Sequence, residues 1–211
     1  MAIANTLGLE SVSPGIIMEG GSVDFNGAGT VLTSKSCLLN PNRNPNLSQS
    51  EIEQYLVDFY GVSQVLWVSD GIVGDDTDGH IDDTVRFVNE DTVIAMVEPN
   101  PSDENYAVLQ QNLAELKSMT LLNGNPMKIV EIPMPQAVVI DEFRAPGSYA
   151  NFYICNAGVL VPTFDCPQDA LALEILRQLF QDRPVIGLSA SHIIWGQGSF
   201  HCLTQQEPKG N

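Results

Sequence analysis

The order strand, strand, helix, strand is written three times along this 211-residue chain, and that repetition constrains the fold more than any single motif. The first copy covers about residues 20–68. Ser22 to Asn26 and Thr30 to Thr33 alternate in strand fashion around a turn at Asn26-Gly27-Ala28-Gly29. Ser48 and Glu51 form a capping box, and Ile52, Tyr55, Leu56 and Phe59 recur at helical spacing until Gly61 stops the helix. Gln64 to Val68 closes the unit. The second copy, about 80–132, pairs Asp83 to Val88 with Thr92 to Val97, and Lys128 to Ile132 ends it. Its helix is expected to be capped at Ser102, with Tyr106, Leu109, Leu113 and Leu116 inward. The third, about 148–188, runs from Asn151 to Cys155, turns at Asn156-Ala157-Gly158 and continues from Val159 to Phe164. A helix from near Asp165 and Pro167 with Ala172, Ile175, Leu176 and Leu179 on one face leads to Val185 to Leu188.

The spacing predicts one α/β domain over 1–211 that begins and ends within a repeat. Ser199 to Thr204 reads as the opening strand of a fourth copy, and Met1 to Ile17 as the tail of an earlier one. The third-strand positions Val65, Ile129 and Val185 lie 64 and 56 residues apart, longer than common solenoid periods. Blades around an axis fit this better than a doubly wound sheet, whose strands alternate singly with helices.

Charge narrows the partners. Nine Lys and Arg against 26 Asp and Glu leave a formal charge of −17, which repels nucleic acid and anionic membranes and favours a cationic ligand. At 44% hydrophobic the chain can bury a core. No apolar stretch approaches the roughly 20 residues of a membrane span, and no basic start precedes a cleavable apolar run. A soluble, cytoplasmic protein is the expectation. Cys37, Cys155, Cys166 and Cys202 show no C-x-x-C spacing, so they are expected as reduced thiols.

In a radial arrangement the opening strand of each copy faces the axis, and its residues converge from distant parts of the sequence. Glu19 leads the first copy, His80 and Asp82 the second and Asn151 the third, while Cys202 lies in the fragment of a fourth. A thiol, an imidazole, two carboxylates and an amide meeting at one point would supply a nucleophile, an acid/base and a cation-binding set.

Those residues sit in five ordered strings: Glu19-Gly-Gly-Ser22, Leu39-Asn-Pro-Asn-Arg-Asn-Pro45, Gly74-Asp-Asp-Thr-Asp-Gly-His-Ile-Asp82, Tyr149-Ala-Asn-Phe-Tyr153 and Gly198-Ser-Phe-His-Cys-Leu-Thr-Gln-Gln206. Together they resemble the agmatine deiminase family, which also takes in bacterial-type peptidyl-arginine deiminases. The resemblance implies a five-bladed pentein propeller of strand, strand, helix, strand repeats, of which this chain holds about three and parts of two more. It implies Cys202 as nucleophile, His80 as general acid and base, Glu19 and Asp82 as the carboxylates that hold a guanidinium, and Asn151 as a further substrate-binding residue. It implies no metal and no organic cofactor. The family's N-terminal Asp-x-Trp-x-Arg-Asp motif has no counterpart here, so the chain looks like the C-terminal three-fifths.

The implied chemistry suits these side chains. A guanidinium carbon is a poor electrophile because its charge is spread over three nitrogens, and a thiolate is the suitable attacker. Paired carboxylates fix the planar cation, and an imidazole can protonate departing ammonia and then activate water. Agmatine would give N-carbamoylputrescine, a step toward putrescine. Two carboxylates raise the thiol's pKa and an imidazolium lowers it, so the expectation is that the bound guanidinium tips the balance toward thiolate.

Other readings remain open at this level. Peptidyl-arginine is the competing substrate. The chain could be a catalytically silent piece awaiting a complementing N-terminal fragment, or a homo-oligomer, since an opened ring exposes strand edges and apolar faces. His80 with Asp82 could be a metal pair, although His192 and His201 supply no matching ligands. Asp75, Asp76, Asp78, Asp82 and Asp83 could form a calcium loop but lack the EF-hand order. Trp67 and Trp195 are expected to pack, the latter with a possible place beside the Cys202 segment.

Overall fold

The repeated pattern takes shape in the computed structural model, which describes residues 2–207, as three separate three-stranded sheets in an α/β fold. A short exposed helix α1 (Ala2–Leu7) comes first. The first unit holds β1 (Val23–Phe25), β2 (Thr30–Ser34), the single turn α2 (Lys35–Leu38), α3 (Gln49–Tyr60) and β3 (Gln64–Val68). The second holds β4 (Val85–Phe87), β5 (Thr92–Val97), α4 (Tyr106–Ser118) and β6 (Lys128–Pro133). A small hairpin, β7 (Val139–Ile140) with β8 (Phe143–Arg144), leads to β9 (Tyr153–Cys155), β10 (Gly158–Thr163), α5 (Gln168–Leu179) and β11 (Val185–Ser189).

Each sheet is wired alike. The second strand is central, antiparallel to the first and parallel to the third, because a tight turn joins the first pair and a helix crosses over to the last. Val65, Ile129 and Val185 fall in equivalent register, opposite Val31, Val93 and Val159. Those three central valines are fully buried. The helices join neighbouring units: α4 packs on β5 and on β3 of the preceding sheet, and α5 on β11 and on β6.

Local chemistry sets the helix ends. Ser48 and Glu51 close a reciprocal capping box on α3, and Gly61 ends it at φ 68°, a conformation that costs glycine little. α4 starts three residues later than a Ser102 cap predicts, after Asn105, whose buried side chain does not cap the helix but accepts a hydrogen bond from Val73 N. Leu109, Leu113 and Leu116 face the core, while Tyr106 is only half-buried.

Two expectations are corrected. Ser199 to Thr204 is not a strand: residues 200–203 form turns closed by Leu203 N to Ser199 O and Thr204 N to His201 O. The backbone there bonds to Asn151 and to itself, and a strand needs a neighbour to pair with. Trp195 is not packed but 59% exposed, whereas Trp67 is buried and donates to Glu53. Apolar side chains also stand exposed on the first unit, at Phe25, Phe59 and Tyr60, and on the third, at Leu171, Ile186 and Leu188. Among the described residues no helix is long and apolar enough to cross a membrane.

Candidate active site

The five expected site residues come together, but from turns that precede the strands and not from the strands. Glu19 precedes a 3-10 turn at Gly20–Ser22 that opens β1. His80 and Asp82 bracket the start of another, Ile81–Asp83, before β4. Asn151 lies two residues before β9, and Cys202 lies in the turns after residue 199. A turn can aim several consecutive side chains at one place, which a strand's alternation forbids.

Contacts link the set in sequence. His80 Nε2 is 3.9 Å from Glu19 Oε1, and its Nδ1 is 3.9 Å from Asp82 Oδ1. Asp82 Oδ2 accepts from Asn151 Nδ2 at 3.2 Å and from the Cys202 thiol at 3.4 Å. Asn151 Nδ2 is 2.9 Å from Cys202 Sγ. Glu19, His80, His201 and Cys202 share the wall of a pocket of about 310 Å³. A larger hollow of about 840 Å³ beside Phe25 and Tyr60 contains neither the thiol nor His80.

Close approach here requires glycine. A Cβ on Gly21 would stand 2.5 Å from His80 Nδ1 and 2.8 Å from Asp82 Oδ2. One on Gly198 would stand 2.6 Å from Cys202 Cβ. The Glu19-Gly-Gly and Gly198 strings are therefore steric conditions for the site as well as carriers of its functional groups.

Asn151 is buried and its amide is fully engaged. Its Oδ1 accepts from Ser199 N, Ser199 Oγ, His201 N and Cys202 N, so it holds the loop that carries the thiol. Its Nδ2 also donates to Asp83 Oδ1 at 3.0 Å. The geometry suits a positioning residue, in contrast to the substrate-binding place the resemblance implies.

Several participants escape sequence reasoning. His201, which the sequence offers no metal-ligand pattern for, is buried and pairs with Asp82 Oδ2 at 2.7 Å; its place next to Cys202 is the signal in the sequence. Arg43, within the Leu39–Pro45 string, donates from Nε to both oxygens of Glu19, at 2.7 and 3.0 Å. It also reaches Asp78 Oδ2 and Thr77 O, tying Glu19 to the loop before His80. Arg86 carries no motif. It pairs with Asp24 at 2.7 Å, lies over the Phe152 ring, and donates to the carbonyls of Ala150 and Phe152, the two residues that flank Asn151.

The acidic loop uses its carboxylates internally. Asp75 accepts from Thr77, Gly79 N and His80 N, which fixes the approach to His80. Asp78 bonds Asn42 and Arg43, which hold its carboxyl below the usual range. Both oxygens of Asp75 and one of Asp78 are thus taken by the loop and its neighbours.

Electrostatics favour a neutral thiol in the free protein. Cys202 is exposed as a residue, yet its sulfur packs against the site, and this desolvation with the Asp82 and Asp83 charges pushes the thiol well above its usual value near 9. Asp83, buried beside Asp82 and Asp75, is pushed well above the usual carboxylate range by burial first and those charges second. Of the buried side-chain atoms that lack a hydrogen-bond partner among the described residues, two belong to the expected site residues: His80 Nε2 and Asp82 Oδ1. Buried polar atoms are rarely left so, and here an acceptor on Asp82, whose other oxygen meets the Cys202 thiol, and an imidazole nitrogen of the pocket-lining His80 are both open.

Comparison with known proteins gives consistent similarities. A model of the Porphyromonas-type peptidyl-arginine deiminase family matches residues 1–208. An agmatine deiminase of Pseudomonas fluorescens is 37% identical over 212 residues, covering 92% of this chain and 58% of that protein. A solved C. jejuni agmatine deiminase with substrate bound superposes with a TM-score of 0.91 at 34% identity, over 99% of this chain and 61% of the other. The agmatine deiminase of Enterococcus faecalis gives 0.93 at 34%, over 99% and 62%. The chain thus spans less than two thirds of the length of these relatives.

Proposed function

The chain belongs to the Porphyromonas-type peptidyl-arginine deiminase family, and from that premise and the site's geometry we propose that it is built to hydrolyse the guanidinium group of agmatine. The observation that carries this reading is the bare, buried Oδ1 of Asp82, whose other oxygen accepts from the Cys202 thiol. A buried carboxylate oxygen without a donor calls for a cationic one, and a planar guanidinium supplies N–H groups in fixed directions. Glu19, half-exposed at the pocket wall, takes the opposite edge of the cation through the lone pairs that Arg43 leaves free.

The cation's charge offsets those of Asp82 and Glu19, which lowers the energetic penalty on a thiolate. The Cys202 proton passes to His80 as sulfur attacks the guanidinium carbon. The C–N bond to one nitrogen then breaks, and His80 returns the proton to the leaving ammonia, which leaves an amidino thioether on Cys202. His80 next removes a proton from water and hydroxide adds to the thioether carbon; as the C–S bond breaks, His80 returns its proton to the departing sulfur, and the hydroxyl proton passes to solvent as the ureido carbonyl forms. In this reading Asn151 and His201 position Cys202 and Asp82. The three sheets are read as blades of a five-bladed pentein ring.

A second reading, a piece that acts only when a complementing chain completes it, is favoured by the exposed Phe25, Tyr60, Ile186 and Leu188. One experiment separates the two. The purified chain is incubated with agmatine and with a peptidyl-arginine, and ureido product and ammonia are measured, with Cys202→Ala as control. Turnover of agmatine abolished by the substitution supports the first reading. Absence of turnover at every concentration removes it in favour of the second, and turnover of the peptide alone transfers the activity to peptidyl-arginine.

A further inference from the structure

Cys37 has no part in the reaction proposed above, yet it sits against its acid/base. It lies in α2, fully buried, and one ligand atom each from Glu19, Cys37 and His80 fall within 4.8 Å of one another. Thiol, imidazole and carboxylate are the donor types zinc prefers. An independent observation points to a ligand: His80 is 6% exposed, and its Nε2 is buried without a partner, 3.9 Å from Glu19 Oε1. Two N/O ligands at about 2.0–2.1 Å in a tetrahedron stand roughly 3.3 Å apart, so a shift of a few tenths of an ångström per side chain closes the gap between Glu19 and His80, and the Cys37 sulfur, within 4.8 Å of both, approaches by up to about 1 Å.

We propose that Glu19, Cys37 and His80 form a three-ligand site for a thiophilic divalent cation, with zinc as its first candidate, and that the ion inhibits by occupying His80. Glu19 and His80 both line the pocket, which gives the ion its entry, while Cys37 lies beneath as the buried third ligand. Binding forms a metal–sulfur bond and breaks the S–H bond, and the proton goes to solvent. Burial pushes the Cys37 thiol up to about 12, so without the ion it stays neutral. Arg43 engages both Glu19 oxygens through one N–H, which leaves each oxygen a lone pair for the ion but places a positive charge beside it. That charge weakens binding and fits a reversible inhibitor, not a resident cofactor. The inhibition rests on the proposed function; the binding does not.

The test uses the full chain carrying Cys202→Ala, so that the nucleophile cannot supply the sulfur. Cobalt(II) titration is expected to give a near-ultraviolet thiolate-to-metal band that vanishes when Cys37→Ala is added. Zinc-edge absorption is expected to show one sulfur at about 2.3 Å with N/O ligands. Glu19→Gln, which leaves Cys37 and the core untouched, is expected to weaken zinc tenfold or more and so controls for any misfolding of Cys37→Ala. A band that survives Cys37→Ala, a zinc shell without sulfur, or unchanged affinity in Glu19→Gln overturns the proposal. These readouts decide the site whether or not the chain turns over agmatine. If it does, Cys37→Ala is expected to retain basal activity and to raise the half-inhibiting zinc concentration at least tenfold; equal sensitivity would overturn the inhibitory role.

Discussion

His201 Nδ1 lies 2.7 Å from Asp82 Oδ2, joining residues 119 positions apart in the chain. With Asn151 and Cys202 also on Oδ2, this contact leaves Oδ1 as the open oxygen of Asp82. The pairing therefore decides which edge of a buried carboxylate meets the ligand. His201→Phe is expected to lower kcat/KM for agmatine about 10- to 100-fold, the range of a lost hydrogen bond to a charged group. His201→Asn, whose amide nitrogen can stand near Nδ1, is expected to keep most of the activity. Equal loss in both variants would contradict the positioning role.

Cys202 alkylation should follow the carboxylates. Burial, Asp82 and Asp83 hold its thiol above the usual value near 9 in the free protein. Carbamidomethylation of Cys202, followed by mass spectrometry, is expected to accelerate only in alkaline solution. Asp82→Asn removes a negative charge that opposes thiolate, so the profile moves to lower pH. Rapid labelling of the free wild-type chain below pH 7 would refute this.

Asp83 gives a stability prediction with a definite sign. Its folded-state pKa is raised by burial and by Asp82 and Asp75, so the folded protein binds a proton more tightly than the unfolded chain does. That contribution is fully present below the ordinary carboxylate value of 3.8 and is lost as pH climbs toward the raised folded value. Asp83→Asn keeps an oxygen for Asn151 Nδ2 and removes the buried charge. Its melting temperature should exceed wild type at pH 7, with the advantage shrinking as pH falls toward 4.

Gly21 should accept no side chain. A methyl group there meets His80 Nδ1 at 2.5 Å and Asp82 Oδ2 at 2.8 Å, so Gly21→Ala displaces the acid/base while leaving the sheets intact. A displacement of about 1 Å costs on the order of 100-fold in rate. Circular dichroism and melting close to wild type, with that loss of turnover, is the expected pair of results.

Arg86 should matter to both fold and site. Arg86→Ala leaves Asp24 buried without its counter-charge, which costs about 3–5 kcal/mol in chemical denaturation. It also frees the carbonyls on either side of Asn151. The double variant Asp24→Asn with Arg86→Met removes both charges and is expected to recover much of the stability but not the activity. Recovery of both would show that Arg86 acts only through charge balance.

Much of this was legible along the chain because the signals are local. The Ser48–Glu51 capping box and the Gly61 stop depend on residues a few positions apart, and so do the short apolar runs, buried almost throughout, that mark β2, β5 and β10. The five strings around Glu19, Arg43, His80, Asn151 and Cys202 likewise keep each functional side chain beside the turn residues that aim it. Contacts over long separations left no such trace. Ser199 to Thr204 stands where a fourth repeat would open with a strand, but whether a segment pairs depends on a neighbour, and Asn151 captures its backbone instead.

The sequence by itself determined the three strand, strand, helix, strand units and the chemical kinds of group available at their starts, because propensity, capping and periodicity act within a few turns of chain. Only the tertiary structure decided which oxygen of Asp82 stays open, that His201 and Arg43 occupy the acids beside the nucleophile, and that Cys37 lies against His80. Those are matters of distance between separate units, set by how α4 and α5 pack across neighbouring sheets and by the Asp24–Arg86 pair that fastens them.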